Sequence, residues 1–216
     1  MDRPRPDLRL IVITDHHLAA PRDLLDIVAR CLDAGAPAIQ LRDKDASARN
    51  LYQQAIAFRA LTRAHGARLF INDRLDVALA AHADGVHLGP DDLPVADAHR
   101  IAPPGFLIGA STDDPDTALR LQHDGADYIG CGTVYPTTSK PDAGTAIGTR
   151  RLDRVARAVD VPVVAIGGIT VARAPEIART AAAGIAVIGA VMGAQDPASA
   201  VRMILQAYGE EVNRGR

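Results

Sequence analysis

Several short polar clusters hold the side chains best equipped for chemistry. Gln40-Leu41-Arg42-Asp43-Lys44 sets an amide and two cations at alternate positions behind an apolar run, so extended backbone would send Gln40, Arg42 and Lys44 to one side. Arg offers a planar fork for phosphate oxygens, Lys a point charge, and Gln both a donor and an acceptor for a heterocycle edge. Ile71-Asn72-Asp73-Arg74 and Gly89-Pro90-Asp91-Asp92 each put a carboxylate just beyond an apolar run. Singly, Asp73 or Asp92 reads as readily as a helix N-cap. Together, on adjacent strands, they make half a Mg2+ site, the rest coming from water and substrate phosphate.

Hydroxyls and glycines complete the set. Gly109-Ala110-Ser111-Thr112 and Tyr135-Pro136-Thr137-Thr138-Ser139-Lys140-Pro141 supply hydroxyls and one more cation suited to an anionic ligand. Gly167-Gly168-Ile169-Thr170 and Gly189-Ala190 leave backbone N–H groups open to a phosphate. His87 lies inside an apolar run and reads as a packed or hydrogen-bonded histidine rather than a general base. Cys131 has no evident His partner and reads as structural.

These clusters need elements that bring their ends together. Apolar runs at Leu10 to Thr14, Ala38 to Leu41, Arg68 to Ile71, Gly85 to Leu88, Phe106 to Gly109, Tyr128 to Gly130, Val163 to Ile166 and Ile185 to Ile188 read as strands. Helix-like segments follow at Asp23 to Ala34, Ser47 to Ala64, Arg74 to His82, Val95 to Ile101, Pro115 to Asp124, Thr149 to Val159, Ala172 to Ala182 and Pro197 to Tyr208. Ser47, Thr112 or Asp113, Thr149 and Asp196 are placed as N-caps, and Gly35, Gly66, Gly125 and Gly184 as helix-closing glycines. Strand and helix alternating eight times predicts an α/β fold, a (β/α)8 TIM barrel in one domain over 1–216, whose active site lies on the loops after the strands. The aperiodic stretch 131–148 is expected to be a lid, and Glu210 to Arg216 a frayed tail.

Composition narrows the function class. Apolar residues make up 48% and aromatics only 3%, which predicts a core of Val, Ile, Leu and Ala. A formal charge of −2 argues against a nucleic-acid or anionic-membrane partner and leaves small phosphorylated ligands. Two scattered cysteines and no apolar leader after Met1 point to a reducing cytoplasm, and Ala181 to Ala194 is too broken by glycine to span a membrane. Self-association into a homo-oligomer stays open.

Taken in order over residues 10 to 208, Gln40 to Lys44, Ile71 to Arg74, Ala83-Asp84-Gly85-Val86-His87-Leu88-Gly89 with Asp92, Gly125-Ala126-Asp127-Tyr128, Thr137 to Lys140 and Ala165-Ile166-Gly167-Gly168-Ile169 resemble the thiamine-phosphate synthase family. The resemblance implies Mg2+-dependent coupling of hydroxymethylpyrimidine diphosphate to a thiazole phosphate, releasing pyrophosphate through a cation-like pyrimidine methylene. It assigns Gln40 to the aminopyrimidine, and Arg42, Lys44, Asn72 and Lys140 to the diphosphate. It gives Asp73 and Asp92 to the metal, and Ser111 to the diphosphate or pyrimidine. Thr137 and Ser139 fall to the thiazole, and the backbone at Gly168, Ile188 and Gly189 to its phosphate. Pro90, Ser139 and Gly189 depart from the family's commonest residues, Gln, Thr and Ser. Two rivals share the barrel: a thiazole tautomerase-like isomerase, whose histidine would stand where this chain has Asp113, and a non-catalytic phosphate-ligand sensor, which would need no carboxylate pair.

Overall fold

Four-residue runs such as Leu10-Ile-Val-Ile13 and Val163-Val-Ala-Ile166 are too short and too uniformly apolar to have a wet face, and only a sheet covered on both sides accommodates them. In the computed structural model, which describes residues 6–139 and 144–214, they form that sheet. The strands are β1 (Leu10–Ile13), β2 (Ala38–Leu41), β3 (Arg68–Asn72), β4 (Gly85–Leu88), β5 (Leu107–Ser111), β6 (Tyr128–Cys131), β7 (Val163–Ile166) and β8 (Gly184–Val187). Each pairs in parallel with the next, and β8 closes on β1. The (β/α)8 barrel expected from the alternation is the fold found.

Helices α1 (His16–Ala19), α2 (Leu24–Asp33), α3 (Ala48–Ala64), α4 (Leu75–Ala80), α5 (Val95–Ile101), α6 (Pro115–His123), α7 (Gly148–Ala158), α8 (Ala174–Ala178), α9 (Gly189–Met192) and α10 (Pro197–Arg214) complete it. Ser47 caps α3 by accepting the Asn50 N–H, and Asp196 accepts the Ser199 N–H at the start of α10. The cap of α6 is Asp114 rather than Thr112 or Asp113, and α7 starts without a side-chain cap, so Thr149 has no such role. Helix α8 is half its expected length because the Thr180 hydroxyl donates to Ile177 O and accepts the Ala182 N–H, turning the chain out. Helix α10 continues to Arg214 where a frayed tail was expected; Arg179 Nε donates to Glu211 Oε1 at 2.8 Å and ties that turn to the body.

The core is largely aliphatic, as composition predicts, but the barrel centre is not. Phe70 of β3 and Tyr128 of β6 are fully buried there, edge to face with ring centroids 5.4 Å apart. Gly85 and Gly109 make the room: a Cβ at Gly85 would come 2.9 Å from the Phe70 ring, and one at Gly109 would overlap the Tyr128 ring. Gly184 also serves close approach. It opens β8 rather than closing a helix, and a Cβ there would overlap Leu8 O.

Candidate active site

At the C-terminal ends of the strands a cavity of about 1120 Å³ opens. Its wall includes Lys44, Asn72, Asp73, Asp92 and Ser111 on one side and Thr137, Ser139, Gly168, Ile188 and Gly189 on the other. Ten of the thirteen side chains or backbone positions singled out above therefore converge on one space. Strands β3 and β5 run one or two residues beyond their expected ends, because Asn72 pairs with His87 and Ser111 with Gly130 in the ladder. Asn72 and Ser111 are thus held by sheet, not loop.

Asp73 and Asp92 meet at the ends of β3 and β4. Asp73 sits at φ 64, a left-handed conformation that Asp tolerates better than most residues, and its N–H donates to His87 O at 2.8 Å. Asp92 Oδ2 accepts the Gly89 N–H at 2.7 Å. Burial, a hydrogen bond to Asp92 and the Asp92 charge raise the Asp73 carboxyl to about 6, against the pull of Lys44 and Arg42. Lys44 Nζ stands 3.9 Å from Asp73 Oδ2. Two hard-oxygen groups crowded together beside Lys44 form a donor set that suits Mg2+.

Gln40 and Arg42 are placed differently from Lys44. Strand β2 ends at Leu41, so alternation stops governing side chains there. Gln40 is 3% exposed, bonds Tyr128, and does not reach the cavity wall. Arg42 lines a smaller adjoining cavity of about 370 Å³, which shares Lys44 and Ser139 with the larger one. Its backbone is fixed by Thr14, whose Oγ1 accepts the Arg42 N–H at 2.9 Å. Its Nε is buried without a partner among the described residues, a donor suited to an anion. Lys140 lies outside the described residues.

A polar chain links barrel centre to cavity. His87 Nδ1 is 3.0 Å from the Tyr128 hydroxyl and Nε2 is 2.8 Å from Ser111 Oγ. Hydroxyls donate or accept, so either imidazole tautomer is satisfied. His87 is hydrogen-bonded, as expected, and also forms part of the wall. Cys131 is buried, which pushes its thiol up to about 12 and removes it as a nucleophile at neutral pH.

Across the cavity, the start of the 131–148 loop is pinned to β7. Val134 N–H donates to Ile166 O and Tyr135 N–H to Gly167 O, while Ile147 N–H returns to Thr133 O. A Cβ at Gly168 would fall 2.6 Å from Pro136 O, and one at Gly189 would fall 2.9 Å from Ser139 Oγ. Glycine at both positions thus lets the loop lie against the ends of β7 and β8. Arg173 was not singled out from the sequence because it fell in the first turn of the helix expected over Ala172 to Ala182. It stands at the N-cap of α8, its Nη1 donates to Gly168 O at 2.6 Å, and its guanidinium covers the Tyr135 ring at 4.6 Å. It adds a cation to the wall.

Asp113, where the tautomerase-like reading wants a histidine, is bound to Arg151: Nε donates to its carbonyl at 2.6 Å and Nη2 to its carboxylate at 3.2 Å. No helix among the described residues is long and apolar enough to cross a membrane.

Similarity to known proteins agrees with this geometry. A family model described as thiamine monophosphate synthase matches residues 10–191. The thiamine-phosphate synthase of Roseiflexus castenholzii is 50% identical over 193 residues, 89% of this chain and 85% of that one. That of Methanoculleus marisnigri is 44% identical over 207 residues, 96% of this chain and 98% of that one. The solved thiamine phosphate pyrophosphorylase of Pyrococcus furiosus superposes with a TM-score of 0.89 at 44% identity, covering 96% of this chain and 98% of that chain. The chain belongs to the thiamine-phosphate synthase family, transferases that condense the pyrimidine and thiazole moieties of thiamine phosphate.

Proposed function

We propose that the chain couples hydroxymethylpyrimidine diphosphate to a thiazole phosphate with Mg2+ held by Asp73 and Asp92, through a dissociative displacement that releases pyrophosphate. The observation that carries this reading is the mutual crowding of Asp73 and Asp92 at the cavity wall, beside Lys44, with an Arg42 Nε in the adjoining cavity that has no partner among the described residues. When bound there, Mg2+ supplies positive charge to the oxygens of the departing pyrophosphate. Arg42 and Lys44 add cationic hydrogen-bond donors to the same end, worth most when the C–O bond is nearly broken, and Lys140 is assigned there with them. Asn72 donates an amide N–H to the diphosphate from the strand end. Gln40, Tyr128 and His87 orient Ser111 toward the pyrimidine or its diphosphate.

Thr137 and Ser139 face the thiazole from the loop, and the backbone at Gly168, Ile188 and Gly189 receives its phosphate. The 131–148 loop, of which residues 131–139 and 144–148 are described, serves as the lid that keeps water from the cation-like methylene. No side-chain nucleophile is needed, in keeping with the inert thiol of Cys131. The two free, buried cysteines favour a reducing cytoplasm.

Incubation with both phosphorylated substrates tests the reading. Pyrophosphate and thiamine phosphate should appear in equal amounts and only with Mg2+. Equal rates after exhaustive chelation would remove the metal from the mechanism, and turnover of the thiazole alone would favour the isomerase.

A further inference from the structure

Two adjacent histidines just after β1 line the smaller cavity with Arg42 and Lys44 and have no role assigned in the transfer chemistry. Asp15 opens α1 by accepting the Leu18 N–H at 3.0 Å, and this turn sets His16 and His17 beside the loop that follows β2. Their rings lie 3.8 Å apart, centroid to centroid. In the facing loop, Asp43 Oδ1 accepts the N–H groups of Asp45 and Ala46, each at 3.1 Å, which fixes the turn presenting Asp45. His17 Nε2 stands 3.3 Å from Asp45 Oδ2. One ligand atom from each of His16, His17 and Asp45 lies within 4.8 Å of the others.

We propose that His16, His17 and Asp45 form a second divalent-metal site, suited to Zn2+ and separate from the Asp73–Asp92 pair. Two imidazoles and one carboxylate are the donors that zinc and its neighbours take, whereas Mg2+ favours oxygen alone. Bond lengths of about 2.0–2.1 Å put tetrahedral ligands about 3.3 Å apart. His17 and Asp45 already have that spacing, while His16 Nδ1, now 3.5 Å from Asp43 Oδ1, would leave that contact to join them. The side chains of His16, His17 and Asp45 are 39%, 74% and 73% exposed, so water completes the coordination and the ion exchanges freely. The site borders the smaller cavity, where it adds positive charge to the wall formed by Arg42 and Lys44.

Zinc titration of the whole chain by calorimetry, without substrates, tests this, with Co2+ spectra as a report of imidazole ligation. One equivalent of Zn2+ should bind the wild type, and Mg2+ should not displace it. His17→Ala and Asp45→Asn should each weaken binding by at least about 10-fold while keeping the melting temperature. Asp73→Asn should leave zinc binding unchanged. Absence of saturable binding, equal affinity in both surface variants, or loss in Asp73→Asn would each overturn the site. None of these readouts depends on turnover, so the result stands apart from the transferase reading.

Discussion

The two ends of the barrel use aspartate in opposite ways. At the N-terminal end, Asp84 and Asp127 stand one residue before β4 and β6 and are fully engaged. Asp84 Oδ2 accepts the Leu69 N–H at 2.8 Å and Arg59 Nη1 at 2.6 Å, with Arg68 Nη1 3.8 Å from the other oxygen; Asp127 Oδ2 accepts the Ile108 N–H at 2.8 Å. At the C-terminal end, Asp73 and Asp92 face each other, and burial with this mutual proximity disfavours the charged form of Asp73. Carboxylates below fasten neighbouring strands; those above crowd each other, with Lys44 Nζ 3.9 Å from Asp73 Oδ2. That asymmetry separates stability from function in this fold, and substitutions at each end should have effects of different kinds.

The largest effect is expected at the upper end. Asp92→Ala should lower kcat/KM by roughly 100- to 1000-fold, about 3 to 4 kcal/mol, comparable with losing one strong electrostatic contact to a transition state. Steady-state pyrophosphate release at ordinary Mg2+ measures it. A value within threefold of wild type would erase the contrast between the two ends.

A substitution at the lower end should act on folding alone. Asp84→Asn leaves Arg59 with a neutral partner although its Nε already lacks one among the described residues, in a pair whose side chains are only 16% and 18% exposed. Loss of a charge-assisted bond in such surroundings costs about 2–3 kcal/mol. For a chain of this size the melting temperature should fall by roughly 4 to 12 °C. Turnover at 25 °C should stay within twofold of wild type, and a large fall in kcat without a change in melting temperature would contradict the division.

How much of this was legible in the sequence follows from which interactions are local. The barrel was readable because each apolar run ends in polar residues, and Asp73 and Asp92 were readable as a pair because β3 and β4 are consecutive in both chain and sheet. The roles of Asp84 and Asp127 as strand fasteners were not, since their acceptors' partners lie 15 and 19 residues away. Gln40, Arg42 and Lys44 were expected on one side; Arg42 and Lys44 do line one adjoining cavity, whereas Gln40, inside the strand, is buried and bonds Tyr128. His16, His17 and Asp45 went unnoticed for a related reason: 28 residues separate His17 from Asp45, and only closure of β1 against β2 brings them together. Phe70 and Tyr128 meet edge to face in the barrel centre, a contact that no linear pattern encodes.

The finest test of the asymmetry uses Asp73, where stability and function should move in opposite directions. Its carboxyl titrates near 6 rather than 3.8, so the stability linked to it is complete below pH 3.8 and is lost as pH rises through about 6. Asp73→Asn keeps the side-chain size, tolerates φ 64 and removes the penalty. Lys44, with 53% of its side chain exposed, loses a partner 3.9 Å away at little cost. After allowance for solvent screening of a carboxyl this open, the gain at pH 8 is about 1 kcal/mol, a rise in melting temperature of roughly 2 to 4 °C. It should shrink to nothing by pH 4, while Mg2+ should stabilise the wild type and not the variant. A lower melting temperature for the variant at pH 8 would mean that Asp73 is satisfied by its surroundings, as Asp84 is, and the distinction between the two ends would fail at the residue on which it most depends.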